Sequence, residues 1–398
     1  MESFMKRQFR FATVLFVLFS IFMAAGSQPM PDDFLVPFRK GNLWGYCTPA
    51  KKIVITTKYD YAWPFFKEGL AMVMLGNKYG LVDKNGFEKI PVQYDRVWYF
   101  QEGLAVVSRS DKWGFLDKNG REVVPCKYEM ADFLVDGRAI VGLAGKRGYM
   151  DQNGVEVIPL KYDMSEQFFD GFAKVGAAGK WGIIDKTGRE VTAIKYDRVE
   201  YFSEGLASVQ LNGKCGFVDM SGREAIPLKY DGAASFTGGM AAVCLAAEWG
   251  FIDRTGHVTI PCKYEMAAPF SEGLAVICIT GKWGFIDNTG KEIIPLKYNW
   301  AGSFSGGLAV VRQAGKDGFI DRTGKIVIPV KYENAWDFKE GRARVCYEGK
   351  FGFVDTAGME VILPKYDWAF SFDNGLAFIT LGGKYGYIDR SGTEFWED

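Results

Sequence analysis

Between Gly273 and Lys316 the chain alternates short apolar runs with small polar breaks. Residues 274–279 are apolar, Thr280-Gly281-Lys282 interrupts them, residues 283–287 follow, Asn288-Thr289-Gly290 interrupts again, and residues 291–295 complete the set. Short runs bounded by Gly and polar turn residues predict three antiparallel strands. In the second strand Trp283, Phe285 and Asp287 point one way and Gly284 and Ile286 the other. The third carries Ile293 beside Ile294, and strands apolar on both faces are covered on both faces. A return loop of about a dozen residues follows. Its anchors, Tyr298 and Phe304, are expected to pin it onto the sheet of the same or the next copy.

The pattern recurs. Gly45, Gly80, Gly114, Gly148, Gly182, Gly216, Gly250, Gly284, Gly318, Gly352 and Gly386 are separated by one step of 35 residues and then by steps of 34. A fixed period of this length means one small unit copied and stacked. Each Gly lies inside a strand, at Gly114, Gly182 and Gly284 directly after Trp113, Trp181 and Trp283. Such a Gly marks close backbone approach, here expected from the neighbouring copy. An Asp-x-x-Gly turn, as at Asp117 and Asp287, runs from Asp83/Gly86 to Asp389/Gly392. Asp at the first and Gly at the fourth position suit a type I turn. The first copy has Thr48-Pro49-Ala50-Lys51 instead. Pro ends the third strand, as at Pro295.

The predicted fold is therefore all-β: tandem 34-residue three-stranded antiparallel meanders over residues 34–398, eleven units with modified first and last copies as caps. Closed propellers usually hold about four to eight blades, so the expected arrangement is an open superhelical array. Two β-propellers in series are the alternative.

The unit resembles the WG (or KWG) repeat family of bacterial proteins over roughly residues 34–398. The resemblance rests on Lys112-Trp113-Gly114, Lys180-Trp181-Gly182 and Lys282-Trp283-Gly284, each followed by the Asp-x-x-Gly turn and a Lys-Tyr pair. It implies a repeat scaffold and supplies no catalytic residues. The Trp position departs to Arg147, Cys215 and Asp317 and keeps an aromatic at Tyr79, Phe351 and Tyr385.

The N-terminus has a different character. Lys6, Arg7 and Arg10 precede an apolar run at residues 11–25, and Ala24-Ala25-Gly26-Ser27 follows. A basic head, a short apolar stretch and small residues read as a secretory signal peptide at residues 1–26, with an uncleaved membrane anchor at 11–25 as the alternative.

Chemistry is sparse. Forty-eight basic and forty-eight acidic residues cancel, so no global field favours nucleic acid. One histidine, His257, excludes a multi-His metal site or a His-based triad from a single chain. Asp83-Lys-Asn85-Gly86 echoes part of a calcium loop, but true loops supply more oxygens, so a structural turn is expected. No metal, cofactor or catalytic residue is assigned. Seven cysteines include Cys244 and Cys278 in one register. They are expected to be small apolar strand residues, with a bridge between adjacent copies as the alternative. A second set of aromatics, Trp63, Trp98, Trp300, Trp336 and Trp368, falls in the return loops. They either staple loops to the core or stack on a ligand. The functional expectation is an exported, non-enzymatic scaffold that binds a protein or an envelope glycan through several repeats. A carbohydrate-active enzyme and a ligand-free spacer are the alternatives.

Overall fold

Around Gly284 the strands Ala275–Ile279, Lys282–Ile286 and Glu292–Tyr298 form the expected meander. A computed structural model describes residues 31, 33–66 and 68–397; the expected signal peptide at 1–26 and the apolar run at 11–25 lie outside them. A fourth strand, Met266–Ala267, pairs antiparallel with the first of the three through Met266 and Cys278. Most of the eleven sheets have this four-stranded form. The short strand spans two residues in most copies, too few to show the alternation that marks a strand in sequence.

The array closes on itself. In the first sheet the outer place beside Val36–Lys40 is taken by the other end of the chain: Trp396–Glu397 pairs with it in parallel, Arg39 opposite Trp396 and Lys40 opposite Glu397. The Gly41 amide donates to the Glu397 carbonyl at 3.1 Å, and Phe395 is fully buried. The Trp44 ring stacks 5.9 Å from Tyr385. The expected open superhelix is thereby corrected to one closed, eleven-bladed ring of propeller type, and two propellers in series are set aside with it. Closure covers the edge of the first sheet at Arg39 and Lys40.

The Gly comb also acts differently from the expectation. Trp283 pairs with Tyr298 but Phe285 with Ile294, so the third strand carries two extra residues opposite Gly284. This bulge folds over the glycine. A Cβ on Gly284 would lie 2.6 Å from the Ile294 carbonyl oxygen and 2.9 Å from the Leu296 nitrogen. The close approach is therefore within one blade. Contact between blades falls to the turn glycine: Gly290, at φ 83°, packs on Ile260 of the preceding blade, where a Cβ would stand 3.3 Å from Cγ1.

Adjacent blades share each hydrophobic core. Leu274, Val276, Phe285 and Ile294 of one blade pack with Ala301, Phe304, Ala309, Val311 and Ile320 of the next. The loop Phe is the pin: Phe304 meets Phe285 of the preceding blade at 4.9 Å, and Phe236 meets Phe217 at 4.8 Å. Such a pair adds about 0.5–1.5 kcal/mol beyond its buried area.

Polar ties accompany the pins. Asp231 accepts from Lys214 of the preceding blade at 2.5 Å and caps its own blade's hairpin at the Ala246 amide, 2.8 Å away. Lys78–Asp95 and Lys180–Asp197 repeat the ion pair. Glu272 accepts from the Gly307 amide one blade on, at 3.0 Å. The fully buried Tyr332 donates to Glu360 at 2.7 Å, as Tyr128 does to Glu156 at 2.5 Å. At Tyr230 and Tyr298 the buried hydroxyl has no partner among the described residues. The residues that stand where Glu360 and Glu156 would be are Val258 and Ile326, 42% and 47% exposed. Val258→Glu is therefore expected to raise stability by about 1 kcal/mol, read as a higher denaturant midpoint; an unchanged or lower midpoint contradicts the assignment.

The lysine partners hold Asp95, Asp163, Asp197, Asp231 and Asp367 below the ordinary value of 3.8. A depressed carboxyl contributes its stability in full above the unfolded value and loses it as pH falls through the folded one. Thermal stability is thus expected to be flat from neutral pH down to about 5 and to fall progressively below about 4. Melting curves across this range check it.

Candidate binding band

Three strand positions bring one side chain per blade to equivalent, mostly half-buried places, so together they form a band around the ring. The first is the Trp position of the second strand, with Trp113, Trp181 and Trp283 half-buried. The second opens the short strand, at Trp300–Ala301 and Trp368–Ala369. The third lies two residues later and holds Trp63, Trp98 and Trp336. The five aromatics expected in return loops therefore belong to two registers on or beside the short strand. Trp98 lies within Arg96–Gln101.

The third position divides the ring into sectors. Reading blade by blade, Trp336 and Phe370 lead across the closure to Trp63 and Trp98; Asp132, Glu166 and Glu200 follow, then Ala234, Ala268 and Gly302. This division is visible in sequence once the two registers are separated.

In the aromatic sector the rings form one run over four blades. Trp336 lies 5.8 Å from Phe351, Phe351 4.9 Å from Trp368, and Trp368 6.1 Å from Phe370. Phe378 and Tyr385 carry the run to Trp44 of the first blade. Trp44 meets Tyr61 at 4.9 Å, and Tyr61 meets Trp63 at 4.2 Å. Beneath the run Arg344, 8% exposed, lies 3.8 Å from the Trp336 ring centroid and donates to the Ala369 carbonyl at 2.5 Å. Burial brings its guanidinium down to about 10. A desolvated cation over indole is worth about 2 kcal/mol, which favours the three rings nearest Arg344: Trp336, Phe351 and Trp368. Trp368 keeps 42% of its surface exposed. Trp98 packs separately against Trp113 and Phe133, both at 5.0 Å. Trp300, also 42% exposed, folds back over Gly302 and joins no cluster of rings among the described residues.

In the acidic sector Lys174, 9% exposed, takes the place that Arg344 holds in its blade. It pairs with Glu166 at 2.8 Å and Glu200 at 3.8 Å, and its ammonium lies 4.7 Å from the Tyr201 ring. Arg198 bonds Glu200 at 2.7 Å. Burial raises the Asp132 carboxyl.

The three blades that depart from an aromatic at the Trp position solve the gap differently. Asp317, 1% exposed, takes a bidentate bond from Arg312 at 2.6 and 2.9 Å and accepts the Ala335 amide of the next blade at 3.0 Å. Arg147 occupies a half-buried strand position. Cys215 is buried but small, and a cleft opens beside it.

The Asp of each Asp-x-x-Gly turn is committed to its own backbone. Asp287 Oδ1 accepts the Thr289 amide at 2.9 Å, the Lys291 amide at 3.0 Å and the Thr289 hydroxyl at 2.6 Å. Asp117 holds Asn119 and Arg121 in the same way. Among the described residues no group of three His, Cys, Asp or Glu is placed to hold a metal ion. The His257 amide donates to Asp253 at 3.0 Å within such a turn. All seven cysteines are free, Cys244 and Cys278 included. Cys278 Sγ instead lies 3.7 Å from the Glu265 carboxylate.

Comparison with curated proteins gives no match. Among solved structures the chain is similar to a eukaryotic initiation factor, at 12% identity and a TM-score of 0.46, over 80% of this chain and 92% of that one. It is also similar to the extracellular domain of a putative hybrid two component system from B. thetaiotaomicron, at 10% identity and a TM-score of 0.30, over 94% and 72%. A third is a bacterial surface component of the type-IX secretion system of Porphyromonas gingivalis, at 12% identity and a TM-score of 0.25, over 85% and 58%. The profile described as "WG containing repeat" matches ten consecutive times, from residues 44–79 to residues 351–385. With its Trp-Gly strands, bulged third strands and Asp-x-x-Gly turns repeated across those matches, the chain belongs to the family of WG-containing repeat proteins.

Proposed function

We propose that the protein is an exported, non-enzymatic binding ring that holds a protein or an envelope glycan across the aromatic sector of its band. The observation that carries this reading is the continuous run of rings from Trp336 to Trp63, in which Trp368 remains 42% exposed. Half-exposed aromatic faces on a rigid scaffold supply contact area at little entropic cost. The turn carboxylates are occupied by backbone amides, which leaves the band, and not the Asp ladder, to meet a partner. Export rests on the basic, apolar and small-residue order of residues 6–27. A retained run at 11–25 would tether the ring to a membrane.

The test is binding of envelope polysaccharide and envelope protein fractions to the immobilised ring, compared with Trp368→Ala and Trp63→Ala. Binding is expected to fall roughly 10-fold, about 1.4 kcal/mol, in variants that remain folded at the assay temperature. Unchanged binding in both variants contradicts the assignment of the aromatic sector, and glycan turnover in the same samples contradicts the non-enzymatic reading.

A further inference from the structure

On the far side of the ring from the closure, two clefts cut the band. Cys215 stands where the repeat usually places an aromatic ring. The neighbouring blade is truncated at the same place, with Gly232 where other blades carry Met266, Trp300 or Trp368. The two small residues leave a gap between the blades that the Trp249 indole narrows from the Gly232 side, where a Cβ would stand 3.2 Å from Cη2. Asp317 shows the contrasting outcome, because Arg312 closes its gap. Beside Cys215 the result is a cleft of about 220 Å³ between the blades, walled at one end by Trp249. A second cleft of about 240 Å³ adjoins it, with Trp181 at its wall. Arg198 and Glu200 line both.

The lining is polar and balanced in charge. Lys174 offsets Glu166 at 2.8 Å, Arg198 offsets Glu200 at 2.7 Å, and Asp231 is bound by Lys214 at 2.5 Å. Such a site has no excess charge with which to recruit an ion. It offers planar donors and acceptors, with Gln210 and Ser208 completing the inner cleft. A flat indole stands in each compartment. Neutral sugars match this combination: ring hydroxyls bond to planar polar side chains while the apolar face of the ring lies on an aromatic.

We propose that the paired clefts on either side of Arg198 and Glu200 bind a neutral oligosaccharide, one sugar ring per cleft. This site is separate from the aromatic sector and does not depend on it.

The experiment is isothermal titration of the full chain with cellobiose, maltose and N,N′-diacetylchitobiose, with a uronic-acid disaccharide as the charged control. At least one neutral disaccharide is expected to bind with a dissociation constant of about 1 mM or tighter. Cys215→Trp installs the residue that stands at Trp44, Trp113, Trp181, Trp249 and Trp283 and fills the inner cleft. It is expected to weaken binding at least 10-fold. Glu200→Ala borrows the residue found at Ala234 and Ala268 and is expected to weaken binding similarly, which keeps the test decisive should the Trp variant fail to fold. Trp368→Ala is expected to leave this binding unchanged. The proposal is overturned if no neutral disaccharide binds, if only the charged control binds, if folded Cys215→Trp and Glu200→Ala variants bind as the parent does, or if Trp368→Ala abolishes the binding.

Discussion

Gly284→Val is expected to destabilise the protein by about 3 kcal/mol, at the upper end of what overpacking costs. The reason lies in what the new side chain would meet. The Ile294 carbonyl, the Pro295 carbonyl carbon and the Leu296 nitrogen lie 2.6–2.9 Å from the site of a Cβ, and all three are backbone. A side chain can rotate away; a bulged strand pinned by Tyr298 on one side and Ile294 on the other cannot. The neighbouring Gly302 provides the control. The three nearest atoms to a Cβ there all belong to the partly exposed indole of Trp300, the first at 3.2 Å. Gly302→Ala should therefore cost well under about 1 kcal/mol, as surface changes usually do. Denaturant midpoints of the two variants give the comparison, and equal effects would remove the bulge from the explanation of the repeat.

Ending the chain after Gly392 is expected to have the second large effect. It removes Phe395, fully buried, and Trp396, which pairs with Arg39 and whose ring covers Gly386. Fully burying an aromatic side chain is worth about 1.5–3 kcal/mol, and deletion loses one fully buried ring and one half-buried one. It also uncovers the strand edge at Arg39 and Lys40, and an unpaired edge is a template for other chains. The shortened protein is expected to melt at a lower temperature and to associate into larger species as concentration rises. Light scattering alongside thermal melts reads both; a monomer of unchanged stability would mean that the terminal strand does not seal the ring.

Much of the blade is legible in the sequence alone. The strands around Gly284, the Asp287 turn and the sharing of each sheet between two neighbours follow from periodicity and turn chemistry, and Ile293 beside Ile294 announces the double covering. The reason for the Gly comb is not legible. Sequence shows that a side chain is missing but not which backbone occupies the space, and the bulge at Pro295 and Leu296 becomes visible only in the pairing. Closure is hidden for a different reason. An open spiral and a closed ring differ by a small rotation per blade, which near-identical copies do not encode in any one residue. The decisive pairing involves two residues, Trp396 and Glu397. The candidate site is half legible: the five tryptophans stand out, but treating them as loop residues merges two registers and hides the sectors. The polar clefts are signalled by the break at Cys215, whose partner in the truncation, Gly232, has no distinguishing mark without the blade-to-blade register.

The central claim is the closed ring, and small-angle scattering on the chain beginning at Ser27 tests it most directly. A closed, compact body of this length has a radius of gyration of about 21 Å by the scaling for folded chains. Eleven sheets stacked openly at about 10 Å spacing would extend about 110 Å and give a radius of gyration above roughly 30 Å. The ring predicts a value close to the compact one, with a pair-distance distribution that ends well short of the open stack's length. A value matching the open stack, with an extended tail, would contradict closure and restore the open superhelix.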